Sequence, residues 1–419
     1  MTTDNDPRAA ARDGTAEGRL DPLAAVRAEG DPECDVFLTG TVFLDIIFTG
    51  LDSAPVRGSE TWARGMGSSP GGVANMATAL ARLGLHTSLA AAFGDDKYGE
   101  YCWETLEDGE GIDLSQSRTV PGWHSPVTVS LAYDGERTMI SHGHEAPVPG
   151  HAPSAAYGPP PARSCVASLA PGHYQDWIGA MARRGSLVFA GVGWDETGRW
   201  ELDELPGLEH ADAFAPNAEE AMRYTRTDCP RAAARVLADR VPLAVVTMGA
   251  DGACAVDAAT GETAEVPGIA VEALDTTGAG DVFMAGLVTG TLAGWPLADR
   301  LALAGLTAAL SVQEFGGSLS APGWVEIAAW WNHVRPCVPG SPAPPGHPLA
   351  RYAFLETLLP GCTRSWPLRR AVPTLGFRDH GPFGIPGVHA LPGVSAAPAE
   401  AGDAGPGIAG PQGGTGQGG

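Results

Sequence analysis

The densest chemistry in the chain is a seven-residue string, Asp275-Thr276-Thr277-Gly278-Ala279-Gly280-Asp281, running straight into the apolar stretch Val282-Phe283-Met284-Ala285-Gly286. Gly278 and Gly280 have no Cβ, so a ligand can come close to their backbone. The apolar stretch reads as a helix, and a helix start offers unpaired N–H groups and a partial positive charge. Such a cradle can hold a phosphate, or the charge on a phosphoryl group in transfer. Asp281 falls at the helix start, where a carboxylate has two uses. It can cap the helix, or it can accept a proton from an attacking hydroxyl. Asp45 is the lone acid in the apolar run Val36–Phe48 and therefore needs a partner. Thr247-Met248-Gly249-Ala250-Asp251-Gly252 follows another apolar run. A Gly-x-x-Gly there reads as an ordinary turn or as a close approach for a ligand. The only lysine is Lys97, so a Gly-x-x-x-x-Gly-Lys phosphate loop is excluded.

Strands alternating with helices must position these residues. Val36–Phe48 reads as a buried first strand, Ala74–Leu83 as a helix stopped by Gly84, Thr87–Phe93 as a strand and Tyr98–Glu107 as a helix. Pro126–Tyr133 and Arg137–His142 read as a hairpin about Asp134-Gly135. Ser186–Val192, Ala211–Phe214 and Leu243–Met248 are short buried strands. Ala253–Val256 and Ala264–Val266 form a second hairpin, and Asp281–Leu292 with Leu297–Val312 a helical pair. The pattern predicts an α/β fold with a mainly parallel sheet covered on both faces.

Of 419 residues 44% are hydrophobic, which excludes wholesale disorder. The net charge of −23 argues against nucleic-acid binding, which needs a basic face. It leaves room for a small anion held by backbone N–H groups, because charges beyond about 8–10 Å are screened. Seven cysteines without a C-x-x-C pair argue for a reducing compartment and against a zinc site. No apolar run is long enough to span a membrane, and the N-terminus lacks the apolar core of a signal peptide. Residues 1–30 read as a disordered leader and 31–334 as the folded body. Residues 335–419 contain 17 Gly and 15 Pro, so they read as a mostly disordered tail, with a docked piece at Arg351–Leu359.

The seven-residue string resembles the C-terminal signature of the ribokinase-like carbohydrate kinases, the PfkB family. Other segments agree in order over about residues 35–325. Pro70-Gly71-Gly72-Val73-Ala74-Asn75 with Ala81-Arg82-Leu83-Gly84 is similar to the family's N-terminal signature, although two residues rather than three separate Gly-Gly from Asn75. Asp45 resembles the family's sugar-binding Asp. Phe93-Gly94-Asp95-Asp96 resembles a segment near the substrate, or is a turn with an Asp cap. Pro216-Asn217-Ala218-Glu219-Glu220 resembles the N-x-x-E motif, and Gly316-Gly317-Ser318 a late loop that helps hold a monovalent cation in some members.

The resemblance implies a three-layer α/β/α ribokinase-like fold with a small β-sheet lid from about 50–68 and 122–145. It implies transfer of the ATP γ-phosphoryl group to a sugar hydroxyl. Asp281 would be the general base, and Gly278, Ala279 and Gly280 the anion hole. Asp45, Gly71, Gly72 and Asn75 would bind the sugar, and Asn217, Thr247, Gly249, Gly252 and Thr277 the nucleotide. Glu220 would organise Mg²⁺ through water, and Asp275 would serve a K⁺ ion. In the lid, Arg137, His124, His142 and His144 would meet substrate or form a solvated surface. A cytoplasmic enzyme that pairs through its lid as a homodimer is expected. Three alternatives stay open: a nucleoside kinase, a non-catalytic sugar- or nucleotide-binding regulator, and a protein whose Pro/Gly tail recruits a partner.

Overall fold

The computed structural model describes residues 20–133, 136–146, 158–335 and 349–359. Strands β1 (Cys34–Thr39), β2 (Val42–Thr49) and β3 (Gly65–Gly72) come first, and β3 runs without a loop into helix α1 (Val73–Arg82). Next are β4 (Thr87–Ala90), β5 (Ala92–Gly94), α2 (Lys97–Glu104), β6 (Arg118–Val120), β7 (Val127–Tyr133), β8 (Glu136–His142), β9 (Ala162–Leu169) and α3 (Asp176–Arg183). The second half holds β10 (Leu187–Val192), β11 (Ala213–Phe214), α4 (Ala218–Thr225), α5 (Pro230–Ala238), β12 (Leu243–Thr247), β13 (Ala253–Asp257) and β14 (Thr263–Val266). Helices α6 (Ala279–Leu292), α7 (Leu297–Ser311), α8 (Trp324–Val334) and the single turn α9 (Leu355–Leu358) complete it.

Eight strands form the central sheet in the order β14-β13-β12-β11-β10-β9-β1-β4. All neighbours from β12 to β4 are parallel, and β13 and β14 add an antiparallel edge. The period-2 alternation of each strand sends its side chains to two separate cores. On β1, Val36 and Leu38 join α1, α6, α7 and α8, whereas Phe37 joins α3, α4 and α5. On β12, Val245 takes the first side and Ala244 and Val246 the second. The three-layer α/β/α arrangement follows. Helix α6 is apolar nearly all round and is buried from Val282 to Gly290, as a central helix must be.

A second sheet, in the order β3-β2-β7-β8, forms the lid. Here the structure corrects the sequence reading. Val36–Phe48 is two strands, parted at Gly40-Thr41, and only the first belongs to the central sheet. The second, β2, pairs along its whole length with β3 and carries Asp45 into the lid. The lid therefore uses residues 42–49 and 65–72, and residues 50–64 contain no strand. The predicted turn at Asp134-Gly135 lies outside the described residues, although β7 and β8 do pair antiparallel with Tyr133 opposite Glu136.

The body also reaches past the limits read from sequence. Leu23 is fully buried, and Arg27 pairs with Asp21 and with the fully buried Asp35 at the start of β1, so packing begins by residue 20 rather than 31. After α8, residues 349–359 dock on the core through Leu349, Tyr352 and Leu355, with Tyr352 edge-on to Trp330 at 4.9 Å. Among the described residues no helix is long and apolar enough to cross a membrane.

Candidate active site

The site begins where β3 becomes α1. Gly72 makes the corner at φ +64°, a backbone that L side chains rarely adopt, and a Cβ there would overlap the Thr41 carbonyl. Asp45, on the neighbouring strand, is buried with its carboxylate lying against Gly71 so closely that a Cβ on Gly71 would overlap it. In the first turn of α1, buried Asn75 donates from Nδ2 to Asp281 Oδ2 at 3.1 Å. That bond joins two segments 206 residues apart in the chain.

Asp281 lies in the first turn of α6, behind Gly278. Gly278 is the N-cap at φ +74°, where a Cβ would press on the Asn75 amide at 3.1 Å. Ala279 donates its N–H to Thr276 O at 3.3 Å. Gly280 is exposed, with nothing within 4 Å of where its Cβ would stand, so a ligand can approach. Asp281 does not cap the helix with its side chain; its carboxylate turns to Asn75. Burial pushes its pKa up to about 6, against the lowering effect of the Asn75 hydrogen bond. The residue is half-buried. Further along α6, Met284 stands 3.9 Å from where a Cβ on Gly191 would be, so this helix start lies over the carboxyl end of β10.

Asp275 braces the string. Its Oδ1 accepts from Thr277 N at 2.9 Å and Thr277 Oγ1 at 2.6 Å, and its Oδ2 from Gly316 N at 3.2 Å. The loop that follows cups the site from behind. A Cβ on Gly317 would come 2.6 Å from Asn75 Oδ1, and Ser318 Oγ donates to Pro70 O. Asn75 Oδ1 and Ser69 Oγ are buried there without a hydrogen-bond partner.

The remaining predicted residues form a second group at the carboxyl ends of the adjacent strands β11 and β12. Asn217 and Glu220 make a capping box at the start of α4: Glu220 N donates to Asn217 Oδ1 at 3.0 Å, and Asn217 N to Glu220 Oε2 at 2.9 Å. Burial pushes the Glu220 carboxyl above its ordinary pKa. Asn217 bridges to Thr247, the last residue of β12. Gly249 opens a single helical turn, and Gly252 closes it at φ +99°, packed against the Val266 carbonyl. Among the described residues no three His, Cys, Asp or Glu side chains gather as metal ligands.

Asp96 is the N-cap of α2, accepting from Tyr98 N at 3.1 Å and Gly99 N at 2.8 Å, so the capping alternative describes it. His124, His142 and His144 are exposed on the lid side. Ser69, Arg82 and Glu110 escaped the sequence reading as site-bearing residues. Arg82 stands within a motif, but its contacts with Leu319 O and Ala321 O, like that of Ser69 with Gly316, join segments more than 200 residues apart, and Glu110 enters only through Arg82.

Comparison with known proteins gives a consistent picture. The model of the family described as pfkB family carbohydrate kinase matches residues 39–324. The bifunctional protein HldE of Magnetococcus marinus is 28% identical over 303 residues, which takes in 63% of this chain and 60% of that protein. The fructokinase of Klebsiella pneumoniae is 32% identical over 287 residues, covering 60% of this chain and 89% of that protein. Among solved structures, the ribokinase of Arabidopsis thaliana complexed with ribose and ATP superposes with a TM-score of 0.57 at 22% identity, over 71% of this chain and 98% of that one.

Proposed function

The chain belongs to the pfkB family of carbohydrate kinases, and on that premise we propose that it transfers the γ-phosphoryl group of ATP to a sugar hydroxyl, with Asp281 as general base. One observation carries the assignment of roles. The Asn75–Asp281 hydrogen bond brings the glycine-rich corner of the lid and the start of α6 to a single point. An acceptor held there has a proton acceptor and a helix terminus on the same side.

In this reading Asp45, Gly71, Gly72 and Asn75 hold the sugar. The bare Gly71 lets the buried Asp45 carboxylate lie against the backbone beside the Gly72 corner, and Asn75 Oδ1 is buried nearby with no hydrogen-bond partner. Asp281 takes the proton of the attacking hydroxyl as the new P–O bond forms and the bond to the ADP oxygen breaks. A base works best with a pKa near the working pH, and a value of about 6 lies far closer to neutrality than an ordinary aspartate. In this reading the start of α6 at Gly278, Ala279 and Gly280 would serve the equatorial oxygens, where fixed dipoles stabilise developing charge, with the Ala279 N–H released from Thr276 O to take part. Positioning and charge stabilisation do most of the work in phosphoryl transfer.

Asn217, Thr247, Gly249, Gly252 and Thr277 would line the nucleotide side. A Mg²⁺ that keeps most of its water would need few carboxylates, and Glu220, its Oε2 engaged by Asn217 N, would be the one to organise it. Bound with the nucleotide, the ion would neutralise phosphate charge. Asp275, whose two oxygens accept three hydrogen bonds, acts in this reading as a brace for the string, and no step is assigned to K⁺.

The test is ADP release from the purified protein with Mg-ATP across a panel of sugars, sugar phosphates and nucleosides. Turnover that depends on a sugar supports the reading. Turnover with nucleosides alone replaces the acceptor class. ATP binding without turnover on any acceptor overturns catalysis in favour of a regulator.

A further inference from the structure

The last residue of α1 has a contact set that local helix stability does not require. The side chain of Arg82 is buried, only 5% exposed, and so is that of its partner Glu110 at 3%. The guanidinium grips Glu110 with two parallel bonds, Nε to Oε2 at 3.0 Å and Nη2 to Oε1 at 2.7 Å. Its remaining terminal nitrogen, Nη1, donates to two backbone carbonyls, Leu319 O at 2.8 Å and Ala321 O at 2.7 Å. Both carbonyls belong to the loop between α7 and α8. The opposite end of that loop is the part that cups the site: Gly316 N on Asp275, Gly317 against the Asn75 amide and Ser318 on Pro70. Within the loop, Ser320 N donates to Gly316 O at 2.8 Å and Ser320 Oγ to Gly317 O at 3.1 Å, so its two ends move together.

Helix α1 thus reaches the site twice. Its first turn delivers Asn75, and its last residue, about 10 Å further along the axis, grips the loop that packs on Asn75. An arginine suits this place and a lysine does not. Only the planar fork can pair bidentately with a carboxylate while also donating to two carbonyls.

We infer that Arg82 is a positioning residue: locked on Glu110, it holds the Gly316–Ala321 loop against Asn75 and so fixes the Asn75–Asp281 contact. Its effect on turnover rests on the phosphoryl-transfer reading above; its effect on the loop does not. Helix α8 is anchored separately to Leu83, the residue just after α1, by Trp324 Nε1 donating to Leu83 O at 2.8 Å, so loosening the guanidinium frees the loop without detaching the helix.

The experiment compares the full-length wild type with Arg82→Lys by amide hydrogen exchange and by steady-state kinetics, well below the unfolding transition. In Arg82→Lys, exchange over residues 313–323 should rise at least tenfold, while the central strands stay protected. The kcat should fall roughly 10- to 100-fold, the scale of a misplaced catalytic group, with KM for ATP and sugar within about threefold. Unchanged loop exchange overturns the inference. So does an unchanged kcat, or a loss confined to KM. If Arg82→Lys does not fold, Glu110→Gln takes its place. It removes one of the two parallel bonds at constant shape and should move exchange and kcat in the same directions by smaller factors; no change in either overturns the inference. Wild-type ADP release is measured first. Its absence refutes the kinase reading, and the exchange comparison then decides the clamp alone.

Discussion

Asp281→Asn separates the carboxylate's chemistry from its cost to the fold. The substitution keeps shape, and the amide oxygen can still accept from Asn75 Nδ2. What it removes is an ionisable group whose pKa is raised from 3.8 to about 6 by burial. About two pKa units at about 1.4 kcal/mol each make an upper figure near 3 kcal/mol. The folded state binds this proton more tightly than the unfolded chain does. The stability it contributes is therefore complete below about pH 4 and is lost as pH rises through about 6. Above that range the wild type carries the whole penalty and the variant carries none. Urea unfolding at a series of pH values should show the two proteins equal near pH 4. At pH 7 the variant should be the more stable by up to about 3 kcal/mol. Acceptor-dependent ADP release should meanwhile fall by roughly 10²–10⁴, the contribution of a positioned base. In the wild type, kcat/KM should drop about tenfold per pH unit below about 6. A stability difference that does not vary with pH refutes the burial argument. An acid limb centred near 4, or a fully active variant, refutes the assignment of the base.

Three further outcomes test separate parts of the site. Gly71→Ala places a Cβ on the Asp45 carboxylate and should raise the acceptor KM at least tenfold while leaving the KM for ATP within about twofold; equal effects on both would remove Asp45 from the sugar site. Asn75→Ala deletes the hydrogen bond that holds the Asp281 pKa down, so the acid limb of kcat/KM should move upward from about 6, and a downward move would contradict the stated cause. Tyr352→Ala empties a fully buried ring position against Trp330 and should cost about 3–5 kcal/mol in chemical denaturation; unchanged stability would mean that residues 349–359 do not pack on the core in solution.

How much was legible in the sequence depended on whether a signal was local. The central strands could be read because an apolar β-branched run buried on both faces has few other uses, and α6 because its glycines and apolar length announce a buried helix. The lid could not be read in the same way. Strand β3 is Gly-Met-Gly-Ser-Ser-Pro-Gly-Gly, a composition that predicts a turn. It is a strand because eight successive residues pair with β2. That pairing also split the long apolar run at Gly40-Thr41 and moved Asp45 from the central sheet into the lid. Glu220 shows the reverse: the N-x-x-E spacing was visible, but the same spacing also makes a capping box, and only coordinates show the box closed. Arg82 was visible within a motif, yet its work consists of two carbonyls far away in the chain.

The distribution of charge gives the site its character. The chain is strongly acidic and has a single lysine, at position 97, so in the proposed reaction the attraction for phosphate must be local, from the N–H groups and dipole of α6. That same dipole favours an ionised Asp281, yet burial outweighs it and the pKa rises. A phosphate arriving at Gly278–Gly280 adds negative charge beside the carboxylate and raises its proton affinity further. The base would thus take up the hydroxyl proton most readily when the group to be transferred is in place.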